Sequence, residues 1–170
     1  LKIKYNVDIT DINNNTTLFT NEAIYFINEN KIISKNETII KIEENYTIDS
    51  SNVTYDRNLK EIFSTQKTTV QDSYNNILQS NNFKLSINDQ ILEANIVNLI
   101  DNELNEYNFE VAKLNLKTNE VAGKDLSIKF NNKSFEPNNE PRLKANAVII
   151  DNENARFKKG VFTICKKRKD

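Results

Sequence analysis

Leu1, Ile3, Tyr5, Val7 and Ile9 alternate with Lys2, Lys4, Asn6, Asp8 and Thr10 at the start of the chain. Such alternation gives one apolar and one wet face, the requirement of a half-buried β-strand. Shorter runs repeat it: Thr38, Ile40 and Ile42; Phe83, Leu85 and Ile87; Leu114 and Leu116; Leu126, Ile128 and Phe130. Polar segments at 28–31, 56–58, 88–90 and 117–120 separate these runs and read as turns. Leu99, Ile100, Leu104 and Tyr107 have partly helical spacing, but Phe109 and Val111 follow at once, which favours strand, loop and strand.

The runs recur. Tyr25 and Ile32 return thirty residues later as Tyr55 and Ile62, and the places then pass to Ile87 with Ala94 and to Leu116 with Gly123. Each unit reads strand, polar turn, strand, so the pattern predicts antiparallel hairpins stacked edge to edge rather than a strict solenoid. Hairpins with one apolar face must cover it with another sheet, as a sandwich, jelly roll or open barrel does.

Composition explains how the turns are made. The chain has 30 Asn but only 2 Gly. Asn tolerates the left-handed backbone best among residues with side chains, so it takes the place of glycine in these turns. At this Asn density the Asn-x-Ser/Thr matches at Asn36, Asn45, Asn52 and Asn132 are expected by chance and are discounted as glycosylation sites.

Charge and chemistry narrow the function. The net charge is −1, but residues 156–170 carry seven bases and one acid, leaving 1–155 at −7. Sixteen bases among twenty-three acids form no nucleic-acid footprint, and the basic tail at 156–170 reads as a solvated run able to meet phosphates. No 18-residue apolar stretch exists, so no helix is expected to span a membrane. With no His and one Cys, histidine triads and thiolate metal sites are excluded, and two isolated glycines make no phosphate loop. No cofactor or metal is expected. Nothing in the spacing of Asp and Glu marks a catalytic pair, so an enzyme is not expected.

The most specific segment is the last thirty residues, where Pro141-Arg142-Leu143-Lys144-Ala145 leads to Lys159-Gly160-Val161-Phe162-Thr163-Ile164-Cys165. This resembles the segment closing the N-terminal periplasmic domain of the lipopolysaccharide-assembly (LptD/OstA) family. The hairpin units are similar to the OstA-type repeats of that family, from about Asn21 onward. Two departures are plain: only Gly123 holds the repeats' glycine position, and the family's second N-terminal Cys is absent.

The resemblance implies an all-β, antiparallel, incompletely closed β-jelly roll over residues 1–165, with 166–170 beginning the connection to a C-terminal β-barrel. It implies a periplasmic module at the outer membrane of a Gram-negative cell. Such a module binds lipopolysaccharide in a hydrophobic groove and delivers it toward the barrel. Tyr25, Ile32, Tyr55, Ile62, Ile87 and Leu116 are then the groove candidates, although on sequence alone Tyr25, Tyr55, Ile87 and Leu116 fit better as the core of a closed sandwich. The Leu1–Thr10 strand, through Ile3 and Tyr5, would dock an LptA-type bridge protein edge to edge, and an LptE-type lipoprotein would bind through the barrel. Cys165 would form a long-range disulfide; read by itself, it could equally be an inert thiol. Alternatives are a free-standing LptA-like lipid bridge, a structural β-module of a surface protein, and, last, a carbohydrate-active enzyme needing a carboxylate pair in a cleft.

Overall fold

In a β-strand successive side chains point to opposite faces, so an alternating sequence can bury one set and wet the other. The computed structural model describes residues 1–131, 133, 135, 139–151 and 153–165; the 166–170 tail and the Asn132 match lie outside these. It begins with three long strands: β1 (Lys2–Asp11), β2 (Thr16–Phe26) and β3 (Lys31–Ile42). Six short strands follow: β4 (Tyr46–Ser51), β5 (Thr54–Asp56), β6 (Glu61–Ser64), β7 (Thr68–Asp72), β8 (Ile77–Ser80) and β9 (Phe83–Ser86). Four long ones succeed them: β10 (Ile91–Ile100), β11 (Glu106–Asn115), β12 (Glu120–Lys129) and β13 (Arg142–Ile150). β14 (Ala155–Lys158) and β15 (Val161–Thr163) end the described chain. The pairings among the described residues are antiparallel, and a 3-10 turn occupies Ile12–Asn14. Residues 99–107 form strand, turn and strand.

Two of the long strands close a ring. The first part of β3 pairs with β5 and the second with β4, while β10 pairs with β9 at Ile91–Glu93 and with β8 at Asn98–Ile100. The branches β4–β7–β8 and β5–β6–β9 thus face each other as two walls between β3 and β10, an eight-stranded closed barrel. The sequence points to an incompletely closed jelly roll; here the central strands close because β3 and β10 are each long enough to pair with a strand of both walls. β2 and β1 extend the sheet beyond β3, and β11, β12 and β13 extend it beyond β10.

Every pass of the chain bends where it crosses from wall to wall. Left-handed backbone marks the bend at Asn36 in β3, Asn52 between β4 and β5, Ile96 in β10 and Asp125 in β12. The turns at the wall ends use the same conformation, at Asn30, Lys60, Gln90 and Asn119, close to thirty residues apart. These turns are also tied to each other: the N–H groups of Arg57, Ile87 and Leu116 donate to the carbonyls of Asn30, Lys60 and Gln90 at 3.2, 2.9 and 2.8 Å. Among the described residues, seven of the fifteen left-handed positions are Asn and none is Gly, consistent with asparagine's tolerance of that region.

The core lies between the walls. Ile40, Ile48 and Val70 from one wall and Tyr55, Ile62 and Leu85 from the other are buried in one cluster. Ala94, Val97, Phe109, Ala112, Leu126 and Val148 continue it through the C-terminal strands.

Candidate functional site

The walls part at two places, and apolar side chains line both. The first cavity, about 510 Å³, lies among β1, β2, β3 and β5, lined by Ile3, Ile9, Ala23, Tyr25, Ile32 and Tyr55. Asp11, Arg57 and Lys60 stand at its edge. The second, about 210 Å³, is lined by Val70, Leu78 and Leu99 of one wall and by Leu114, Val121 and Ile150 of the other. A recess of about 620 Å³ along the bend is lined mainly by polar groups such as Glu37, Asp49, Lys67 and Gln79, and does not suit an apolar guest.

Polar side chains join the wall ends between the cavities. The Tyr55 hydroxyl donates to Asp11 Oδ2 at 2.6 Å, and Lys60 Nζ lies 3.7 Å from the same oxygen. Gln90 Nε2 donates to Glu43 Oε1 at 3.2 Å, and the Tyr46 hydroxyl donates to Asn119 Oδ1. Lys60, Gln90 and Asn119 are the left-handed residues of successive turns, so the repeat that builds the wall also sets these bridges thirty residues apart. Burial first, and then the Asp11 carboxylate, pushes the Tyr55 phenol well above its ordinary value. Burial, followed by the charge of Asp72, pushes Tyr46 up to about 12. Both hydroxyls therefore stay protonated and able to donate across the physiological range.

Tyr25, Ile32 and Tyr55, three of the groove candidates, converge on the first cavity. The other three do not. Ile62 is wholly buried beneath Tyr55, its cross-strand partner, and Ile87 and Leu116 are buried at the first positions of their turns. Tyr25 pairs with Ile32, Tyr55 with Ile62, Leu85 with Leu92 and Leu114 with Val121. In the third and fourth units the equivalent pair thus lies two residues before the one that spacing selects. Period-2 alternation makes positions two apart look alike, so Ile87 and Leu116 mimic strand residues although they open turns. Leu114 and Val121 do line a cavity, the second one.

The two docking-edge candidates also separate. Among the described residues β1 pairs only with β2, which leaves its outer edge without a partner strand there, and Ile3 sits opposite Ala23 in that ladder. Tyr5 falls in the register shift between Lys4 and Val7, has φ 67° and is 83% exposed. The opening alternation therefore runs across a bulge rather than along one continuous face. At the far end, Leu143 pairs with Phe162, which brings the two parts of the C-terminal motif side by side. Phe162 meets Phe130 edge-on at 6.0 Å. Cys165 is exposed, its N–H donates to Thr163 Oγ1 at 3.2 Å, and as the sequence's single cysteine it could pair only with a thiol outside this sequence.

Asp11, Arg57, Lys60 and the pairs Glu43–Gln90 and Tyr46–Asn119 were not evident from sequence. The available signal was the polar residue at each left-handed turn position, three residues after the turn's start. Among the described residues no group of three or more Cys, Asp and Glu side chains is placed to hold a metal ion. The chain matches no protein-family model and no curated protein.

Proposed function

We propose that this protein is a lipid-carrying module of lipopolysaccharide assembly, sheltering acyl chains between its walls and passing them toward an outer-membrane barrel. The observation that carries this reading is the pair of apolar cavities that open between the walls at opposite ends of a bridged stretch. An acyl chain crossing an aqueous compartment needs such shelter, because each methylene kept from water contributes about 0.8 kcal/mol. In this reading the fold is a jelly roll whose open parts are the strands beyond β3 and β10. The outer edge of β1 at Ile3 receives an LptA-type bridge protein by strand addition. Cys165 joins the module to the barrel by a disulfide, and an LptE-type lipoprotein binds on the barrel side. The site lies on the periplasmic side of the outer membrane, and the module itself performs no catalysis.

A structural β-module without lipid affinity is the second reading, favoured by the closed ring and by the burial of Ile62, Ile87 and Leu116. A photo-crosslinking residue at Ile32 or Leu114 of the purified protein separates the two. Capture of lipopolysaccharide at both positions, and none at exposed Lys117, is expected for a carrier. Equal labelling at all three, or none, would leave the structural module as the better account.

A further inference from the structure

We propose that the first cavity holds a single acyl chain of an anionic amphiphile, with the Arg57 guanidinium as ligand of its headgroup; this rests on the carrier reading and narrows it. The volume sets the number of chains. At about 510 Å³ the cavity lies within the roughly 300–1,000 Å³ of sites that enclose one small ligand, well short of a whole multi-chain glycolipid. Ile9, Ala23 and Ile32 with the rings of Tyr25 and Tyr55 make its apolar side, which offers an alkyl chain dispersion contacts, while Thr10, Asp11, Asn13, Arg57 and Lys60 make its polar side. At the mouth, Ile3 is 40% and Ile12 is 82% exposed. Apolar side chains left in water beside an apolar cavity gain from a guest that covers them.

Charge at the rim selects the head. Two cations, Arg57 and Lys60, face one carboxylate, Asp11. Lys60 lies 3.7 Å from Asp11, which also accepts from Tyr55, so that cation is matched. The neighbouring Asp56 is engaged by Lys31 at 3.3 Å. Arg57, by contrast, meets neutral oxygens: the Tyr25 hydroxyl at 3.5 Å and Asn30 Oδ1 at 3.3 Å, both through Nη1, and the Tyr55 hydroxyl beside them. No carboxylate among the described residues forms an ion pair with it. A guanidinium presents five N–H donors in a planar fork suited to two oxygens of one anion, and Arg57 is exposed to a guest arriving from solvent. A carboxylate and a phosphate monoester offer the same paired oxygens, so both head types fit. A cationic head is repelled, and a neutral one gains only the apolar contacts.

Calorimetric titration of the whole chain below micelle concentrations, with four amphiphiles of the same alkyl length, tests this. The probes are palmitate, palmitoyl lysophosphatidic acid, monopalmitoylglycerol and hexadecyltrimethylammonium. The two anions are expected to bind one to one, roughly tenfold or more tighter than the neutral glyceride, as a hydrogen bond to a charged group implies. R57Q should remove that preference, bringing the anions down to the glyceride's level; R57K should restore part of it. I32W should block all the probes, and retention of the thermal unfolding midpoint in each variant shows that the fold is intact. Equal binding of anion and glyceride, or a preference that survives R57Q, would make Arg57 a brace of the 27–30 turn and overturn the assignment. Two or more chains per protein would overturn the single-chain site. If no one-chain probe binds while lipopolysaccharide is captured at Ile32, this inference falls and the carrier reading stands; if neither binds, both fall.

Discussion

The same bend is made in two chemical ways on the two sides of β10. In the ring, the ladders break as they cross from wall to wall, and buried hydroxyls lie at the breaks: Ser34, Thr38, Ser50, Ser64, Thr68 and Ser80. Ser34 Oγ both accepts from Val53 N at 2.9 Å and reaches Val53 O at 3.2 Å, while Ser64 Oγ donates to Ser51 O at 2.6 Å. In β10 to β13 the strands run through the bend with their pairings largely continued, and the inward residues there are Ala94, Ala112, Gly123 and Ala145. A broken ladder leaves backbone groups that must find partners, whereas a continuous one leaves none, and its bend needs only small side chains. The contrast teaches that the serines and threonines of the ring serve backbone satisfaction, and that the alanines and glycine beyond it serve packing.

The sharpest way to break the packing side of this contrast is at Gly123. A Cβ added there would lie 2.3 Å from Phe109 Cδ1, a ring that is itself 4% exposed and has no free space to retreat into. G123V is expected to cost about 3 kcal/mol, the upper range of overpacking, read as a fall in the urea midpoint at unchanged slope. Pairing it with F109L should recover much of that loss, since the two sites are in contact and their effects do not add. A G123V protein as stable as the parent would show that the bend has room to spare.

On the hydroxyl side, S34A removes the partner of the buried Val53 N–H and is expected to cost about 2 kcal/mol, the desolvation of an orphaned donor. The reciprocal change, A94S, puts a hydroxyl at the equivalent place in a continuous strand. It should cost about 1 kcal/mol rather than stabilise, because no broken ladder is there to use it. Chemical denaturation of both variants measures the difference. Stabilisation by A94S would mean that the ladder at β10 is also incomplete.

How much of this was legible in the sequence follows from the same physics. The all-β class, the turns near 28–31, 56–58, 88–90 and 117–120, and the thirty-residue recurrence were legible because alternation and polar punctuation are local signals. Asparagine in place of glycine was legible too, and Asn30 and Asn119 bear it out with positive φ. The bends were not: Asn36 and Asp125 lie just before the runs that open at Thr38 and Leu126, with nothing to mark them as bends, and Ile96 is a residue no rule would place in left-handed backbone. The closure of the ring was hidden because it depends on which strand each half of β3 and β10 meets, a long-range fact. The cavity candidates divided for a related reason. Tyr25, Ile32 and Tyr55 flank turns in the first two units, where the assigned spacing holds, whereas a two-residue slip carried the later choices onto Ile87 and Leu116. Asp11, Arg57 and Lys60 looked like any other charges in turns.

Tyrosines mark a third difference between the regions. Inside the ring Tyr55 spans the wall ends to Asp11, while beyond it Tyr107 donates to Asp101 of the adjoining turn at 2.9 Å. Burial raises the pKa of both phenols above that of the unfolded chain, which is about 10. Between those values the folded state holds a proton that the unfolded state has lost. Stability from these groups is therefore full below about pH 10 and falls as pH rises through the folded values. Y55F should cost about 1 kcal/mol at neutral pH through the lost bond, and should flatten the alkaline decline. Y107F should flatten it as well while leaving the wall bridge at Asp11 intact. Equilibrium unfolding of both variants from neutral pH upward checks this, and an alkaline decline identical to the parent's would exclude these phenols as its source.

The smallest effect is expected at Ile96, the bend residue where the ring hands over to the continuous strands. Its φ of 51° is costly for a β-branched side chain, whose Cβ substituents crowd the carbonyl in left-handed backbone. Its side chain is 65% exposed, so little core packing would be lost on replacement. Most other bends place Asn or Asp at the left-handed position, at Asn36, Asn52 and Asp125. I96N should therefore stabilise the protein by about 0.5–1 kcal/mol, seen as a higher urea midpoint. I96G should gain less, because glycine adds freedom to the unfolded chain while it relieves the same strain. The pair of variants separates two accounts of this bend. If strain alone is at work, both substitutions stabilise, with asparagine ahead. If the exposed Ile96 side chain instead packs along the bend between the walls, both destabilise, and glycine does so the more.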